Sequence, residues 1–132
     1  MNVYQHAIIS AVAGLLIGFT VAPDSIIQFI LSALIFGTLI DLDHFVISRK
    51  VHGEWRFLKG IMRNPVKAVF DVQSVIKSSE EFPGEYRYLT HAIENLIVLG
   101  AGIYTGSILL YVGAFAVGLH LLSDIYADTF MW

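Results

Sequence analysis

The sequence predicts an all-α, polytopic membrane protein. Four short transmembrane helices form two hairpins, and the central loop between them carries amphipathic interfacial helices. Three observations predict this. Apolar residues make up 56% of the 132 positions and charged residues only 14%, well outside the soluble average. The apolar residues gather into long runs, one of which, 96–119, contains no charged residue. All eight Lys and Arg lie between Arg49 and Arg87, so the basic charge sits in one central stretch. The length sets the expectation of a single membrane domain spanning 1–132. With no cysteine, disulfide frameworks and thiolate metal sites are excluded.

The first helix is expected over about 5–22 and the second over about 25–43, separated by Pro23-Asp24. The leading apolar run has no Lys or Arg before it and is followed almost at once by a second, so it reads as a retained helix rather than a signal peptide. The long run 92–122 would be ~46 Å as one helix, too long for a ~30 Å hydrocarbon core. Tyr104-Thr105-Gly106-Ser107 has turn chemistry and divides it into helices over about 89–104 and 107–127. Gly100, Gly102, Gly113 and Gly118 are expected to allow close helix packing.

Between the pairs lies the loop 45–88. Trp55, Leu58 and Met62 recur at helical spacing, and Val66, Val69, Phe70 and Ile76 form a second period after Asn64-Pro65, an N-cap followed by a first-turn proline. Glu80, Glu81 and Glu85 read as a charged turn, and His52 as a solvated residue. Trp55, Trp132, Tyr4, Tyr86, Tyr88 and Tyr126 read as an interfacial aromatic belt. Short basic loops stay cytosolic, which places 45–88 and both termini on that side of an inner or plasma membrane.

Paired by depth, the polar residues converge. His6 and Asp41 lie about 17 residues either side of the first turn, and His91 and His120 about 15 residues either side of the second. Asp43, His44 and Asp124 fall just beyond, so four of the five histidines share one cytosolic layer, one per helix. His120 and Asp124 at i, i+4, and Asp41 and His44 at i, i+3, each share a helical face. Ionisable groups in membrane segments are costly and mark functional sites. Imidazole plus carboxylate without sulfur suits a divalent transition metal, zinc or manganese, as one or two ions. The candidate ligands are His6, Asp41, His44, His91, His120 and Asp124, with Asp43 or Glu94 as general base and Arg87 as anchor for a phosphate. Asp128 reads as the solvated helix end.

These residues resemble a known family. His6 near the start, Asp41-Leu42-Asp43-His44 after the second apolar helix, Arg87 before Thr90-His91, and Gly118-Leu119-His120-Leu121-Leu122-Ser123-Asp124 are similar to the LexA-binding, inner-membrane-associated metal-dependent hydrolases (YdjM-like). The resemblance implies a small multi-pass membrane protein with a His/Asp metal centre and hydrolase activity. Ile40, where the family has proline, and Tyr86, where it has histidine, depart from the pattern.

The expected activity is hydrolysis at the cytosolic interface by metal-activated water, on an amphiphilic phosphate ester or lipid-like ester. Membrane lipids are the expected surroundings, a homo-oligomer is compatible, and nothing calls for nucleic acid. A metal transporter and a non-catalytic membrane scaffold are the rivals. Transport calls for polar residues through to the far face, where this chain offers only Asp24, hydroxyls and glycine.

Overall fold

Long apolar stretches must satisfy their backbone internally, and in this chain they do so as helices. The computed structural model describes residues 2–71, 74 and 84–130, and every element among them is helical. Helix α1 (Val3–Val21) leads through a 3₁₀ turn at Pro23–Ser25 into α2 (Ile26–Leu39). A second 3₁₀ turn, Ile40–Leu42, passes directly into α3 (Asp43–His52), which ends at Gly53 in the left-handed conformation, φ 71°. Helices α4 (Arg56–Arg63) and α5 (Pro65–Phe70) follow, then α6 (Gly84–Thr105) and α7 (Ile108–Phe130). Gly106, at φ 67°, makes the turn between the last two, where the sequence places it.

Two expectations change. The second helix was expected to stop at 43 and a loop to begin at 45, yet the helical path runs on to His52. The first residues after the apolar run are polar without being a helix end, because the site holds them. Three helical stretches, Val3–Val21, Pro23–Val51 and Ile108–Phe130, are long and apolar enough to cross a membrane. The fourth expected span falls within α6, which has the length but carries Arg87 and Glu94 in its first half.

Outward faces of the spanning stretches are apolar, with Phe19, Ile27, Leu31 and Phe115 more than half exposed, as a lipid-facing surface requires. The interior is built from small residues and one large one. Phe29, Ala33, Val112 and Ala116 form the buried cluster, with Ile17, Ala22 and Leu109 against it. Helix α1 lies so close to α2 that a Cβ on Gly14 would sit 2.7 Å from the Phe29 carbonyl oxygen and 2.8 Å from the Ile30 Cα. Without a hydrophobic force between helices in lipid, such close approach and dispersion contacts hold them together. Ser32 Oγ adds a hydrogen bond across to the Leu109 carbonyl on α7, 2.7 Å. Of the glycines expected at interfaces, Gly113 lies under the Phe36 ring, whereas Gly100 has open space beside it.

The central helices are short. Asn64 stands at the N-cap of α5 with Pro65 in its first turn, as the sequence predicts. Tyr4 of α1 packs on Phe70 at 5.8 Å between ring centroids, which docks α5 against the start of α1. Met62, Val66 and Phe70 leave an exposed apolar face beside the basic residues. The continuation to Ile76, the acidic turn at Glu80 and Glu81, and Trp132 lie outside the described residues, as do the side chains of His52 and Glu85.

Candidate metal centre

Four helices each bring one histidine to the same end of the molecule: His6 from α1, His44 from α3, His91 from α6 and His120 from α7. All four are buried, and His91 is wholly inaccessible. Their rings form a chain. His6 stacks on His120 at 3.7 Å between centroids, His91 meets His120 edge-on at 5.1 Å, and His44 lies 5.4 Å from His91. Carboxylates press against these rings from three helical segments.

His120 shows how the ligand atoms are aimed. Its Nδ1 lies 2.7 Å from the Gly37 carbonyl oxygen. A carbonyl only accepts, so Nδ1 carries a proton and Nε2 is the nitrogen turned inward. That Nε2 is buried without a hydrogen-bond partner. It faces two carboxylate oxygens, Asp41 Oδ1 at 3.2 Å and Asp124 Oδ2 at 3.4 Å, close but misaligned for hydrogen bonds. Two anions at one buried nitrogen call for positive charge between them, supplied by a proton on Nε2 or by a metal cation.

The spacings suit one. Two donor atoms, each ~2.1 Å from a tetrahedral zinc, are separated by ~3.4 Å. Asp41 Oδ1 is 3.2 Å from His120 Nε2 and 3.7 Å from His91 Nε2. Donor atoms of Asp41, His91, His120 and Asp124 all lie within 4.8 Å of one another and can hold a metal ion. Donors of Asp43, His44 and His91 form a second group meeting the same limit. The Gly37 carbonyl behind His120 is the kind of outer partner that fixes a metal-binding imidazole.

His6 stands beside the first group. Its Nε2 is 3.2 Å from Asp124 Oδ1, its Nδ1 is 3.3 Å from Ser123 Oγ, and its ring covers one face of His120. Asp43 is held by His44 Nδ1 at 2.6 Å and by the Thr90 hydroxyl, which joins α3 to α6. Glu94 reaches from the rim, with Oε2 3.7 Å from His91 Nδ1.

Arg87 and Asp128 pair with each other. The Arg87 guanidinium pairs with Asp128, lies 3.7 Å through Nε from Asp124 Oδ2, and rests 5.2 Å over the Tyr88 ring. Its fork therefore serves the protein's own carboxylates. Asp128, expected to be a solvated helix end, accepts from both Arg87 and the Tyr88 hydroxyl, the latter at 2.5 Å. Tyr88 accordingly has a polar partner beyond any place in an aromatic belt. Sequence reasoning missed this Arg87–Tyr88–Asp128 brace and the Thr90 contact. The i, i+4 spacing of Asp124 and Asp128 on one face of α7 was the available signal. The Gly37 carbonyl had no side-chain signal to find.

No family model matches the chain, and neither a curated protein nor a solved structure matches it.

Proposed function

We propose that this protein is a membrane-embedded, metal-dependent hydrolase of the YdjM-like kind, working where the cytosol meets the lipid headgroups. In this reading α6 is the fourth span, the spans pair as two hairpins, and the basic loop and both termini face the cytosol of an inner or plasma membrane. The observation that carries it is the burial of unpartnered donor atoms, His120 Nε2 and both nitrogens of His91, against carboxylates from other helices. Burying that many polar groups unsatisfied costs several kcal/mol, about 1–3 for each, and a bound cation removes the cost.

Asp41, His91, His120 and Asp124 hold the ion, zinc or manganese, and Gly37 and His6 fix the ligand orientations. A divalent ion there supplies Lewis acidity, making nearby water a nucleophile at neutral pH. Two carboxylates border this group without belonging to it. Asp43 is engaged by His44 and Thr90, whereas Glu94 Oε2 has no hydrogen-bond partner. Glu94 is therefore the better general base. Arg87 keeps Asp124 in place and meets an anionic phosphate only by exchanging Asp128 for it. The substrate is an amphiphilic phosphate ester or lipid-like ester, since the donor residues gather at one end of the helices, at headgroup depth in this reading. Transport is less well supported, because the far-side Ser32 hydroxyl is already spent on the Leu109 carbonyl.

Metal analysis of detergent-purified protein, kept free of chelators, tests the centre, with His120→Ala and Asp41→Ala alongside. Wild type is expected to carry at least one ion per chain and both variants far less. A metal-free wild type ends the proposal. With metal present, turnover of generic phosphodiester or ester substrates separates hydrolysis from mere binding.

A further inference from the structure

His91 differs from His6, His44 and His120 in having both ring nitrogens buried and both without a hydrogen-bond partner. Each faces a different group. Nε2 looks to Asp41 Oδ1 at 3.7 Å, in the cluster with His120 and Asp124. Nδ1 looks to Asp43 Oδ2 at 3.5 Å, in the cluster with His44. In its neutral form the ring has one N–H, so one nitrogen would turn a lone pair on a carboxylate; a second proton or a metal ion relieves this. His91 is also the one residue common to the two donor groups.

We propose that the centre takes two divalent cations bridged by the His91 ring, one at Nε2 with Asp41, His120 and Asp124, the other at Nδ1 with Asp43 and His44. This rests on the metal-binding reading above and adds a second, distinct site to it. Binding at both nitrogens makes the ring an imidazolate, and the proton displaced from the second nitrogen leaves to water. Metal–nitrogen bonds of ~2.1 Å on either side of the ring hold the ions about 6 Å apart. That is wider than the roughly 3.5–4 Å of two-metal hydrolytic sites whose ions clamp one reacting group. The two ions therefore have separate work. The inner one is held from α6 and α7 with Asp41, whereas Glu94, with Oε2 3.7 Å from His91 Nδ1, stands on the outer ion's side of the ring. The outer one ties α3 to α6 and fixes the His91 ring by its second nitrogen.

The test is zinc stoichiometry after equilibration of the detergent-purified protein, together with the EPR spectrum of a Cu(II)-loaded sample. Wild type is expected to bind two zinc ions per chain, and the two Cu(II) ions to show exchange coupling, with signal below that of two isolated ions. Asp43→Asn should bind one ion and lose the coupling while keeping the inner site. His91→Gln should also fall to one ion or fewer. His91 is fully buried, so helicity and elution volume must match wild type before that variant counts; Asp43→Asn and the wild-type spectrum decide the matter without it. One ion in wild type, unchanged by Asp43→Asn, overturns the bridge but leaves the metal centre standing. Two ions without coupling, or two ions retained by His91→Gln, also overturn it. No ion in wild type removes both readings together.

Discussion

Gly37 offers a way to disturb the centre without touching a ligand. It lies where α2 meets α1 and α7, and its carbonyl accepts the His120 Nδ1 proton at 2.7 Å. In Gly37→Ala the new Cβ would overlap the Ser10 hydroxyl and lie 3.0 Å from Ser10 Cβ and 3.4 Å from Ala116 Cβ. The hydroxyl can rotate away, but both Cβ atoms belong to rigid helices, so α2 must shift. Overpacking of this kind costs about 1–3 kcal/mol. The better helix propensity of alanine returns about 0.5–1 kcal/mol. The net loss of stability is thus small, about 0.5–2 kcal/mol. The larger effect falls on the metal, because losing an outer partner of a ligating histidine lowers affinity about 10–100-fold. Thermal unfolding in detergent reads the first quantity and competition with a chromophoric chelator the second. The double variant Ser10→Gly/Gly37→Ala removes both Ser10 atoms from the clash and should restore both, to within about 0.5 kcal/mol for stability. Gly37→Ala that is destabilised yet binds metal like wild type would refute the role given to this carbonyl.

Other outcomes follow from the same geometry. Asp124→Asn removes the charge shared by His6, His120 and Arg87, and metal affinity should fall more than the about 10–100-fold seen for supporting residues, measured by chelator competition. Asp128→Asn breaks a partly exposed pair with Arg87 and should cost only about 0.2–1 kcal/mol in thermal unfolding, with metal content unchanged. Gly14→Ala should destabilise by about 1–3 kcal/mol, since its Cβ meets α2 backbone that cannot move aside, while Gly100→Ala should lie within about 0.5 kcal/mol of wild type. Zinc at a hundred times its dissociation constant should raise unfolding stability by about 2.7 kcal/mol per site, reversed by chelator.

Much of the layer of histidines was legible because depth in a membrane helix is nearly a count of residues from the turn. Pro23 and Gly106 mark those turns plainly, and His6, His91 and His120 follow from them. The continuation from Phe45 to His52 was not legible, because polar residues after an apolar run look alike whether they end a helix or continue it. Gly53, just after the basic turn of α3, was the overlooked stop signal. Contacts that join residues far apart in sequence, such as Thr90 to Asp43 and Arg87 to Asp128, depend on helix rotation. Periodicity sets a helix's faces but not which neighbour each one meets.

The 3₁₀ turn at Ile40–Leu42 has a consequence for how this chain can change length. Three residues at ~120° each, in place of ~100°, advance the winding by about 60° and set α3 out of phase with α2. His44 and Asp43 consequently swing toward α6 instead of continuing the lipid-facing surface of α2. One residue inserted between Ser25 and Ile40 would dial that lobe through a further ~100° and carry its donors away from His91. The count of residues from the first turn to Asp41 is thereby locked, whereas beyond Gly53 added length leaves the alignment alone.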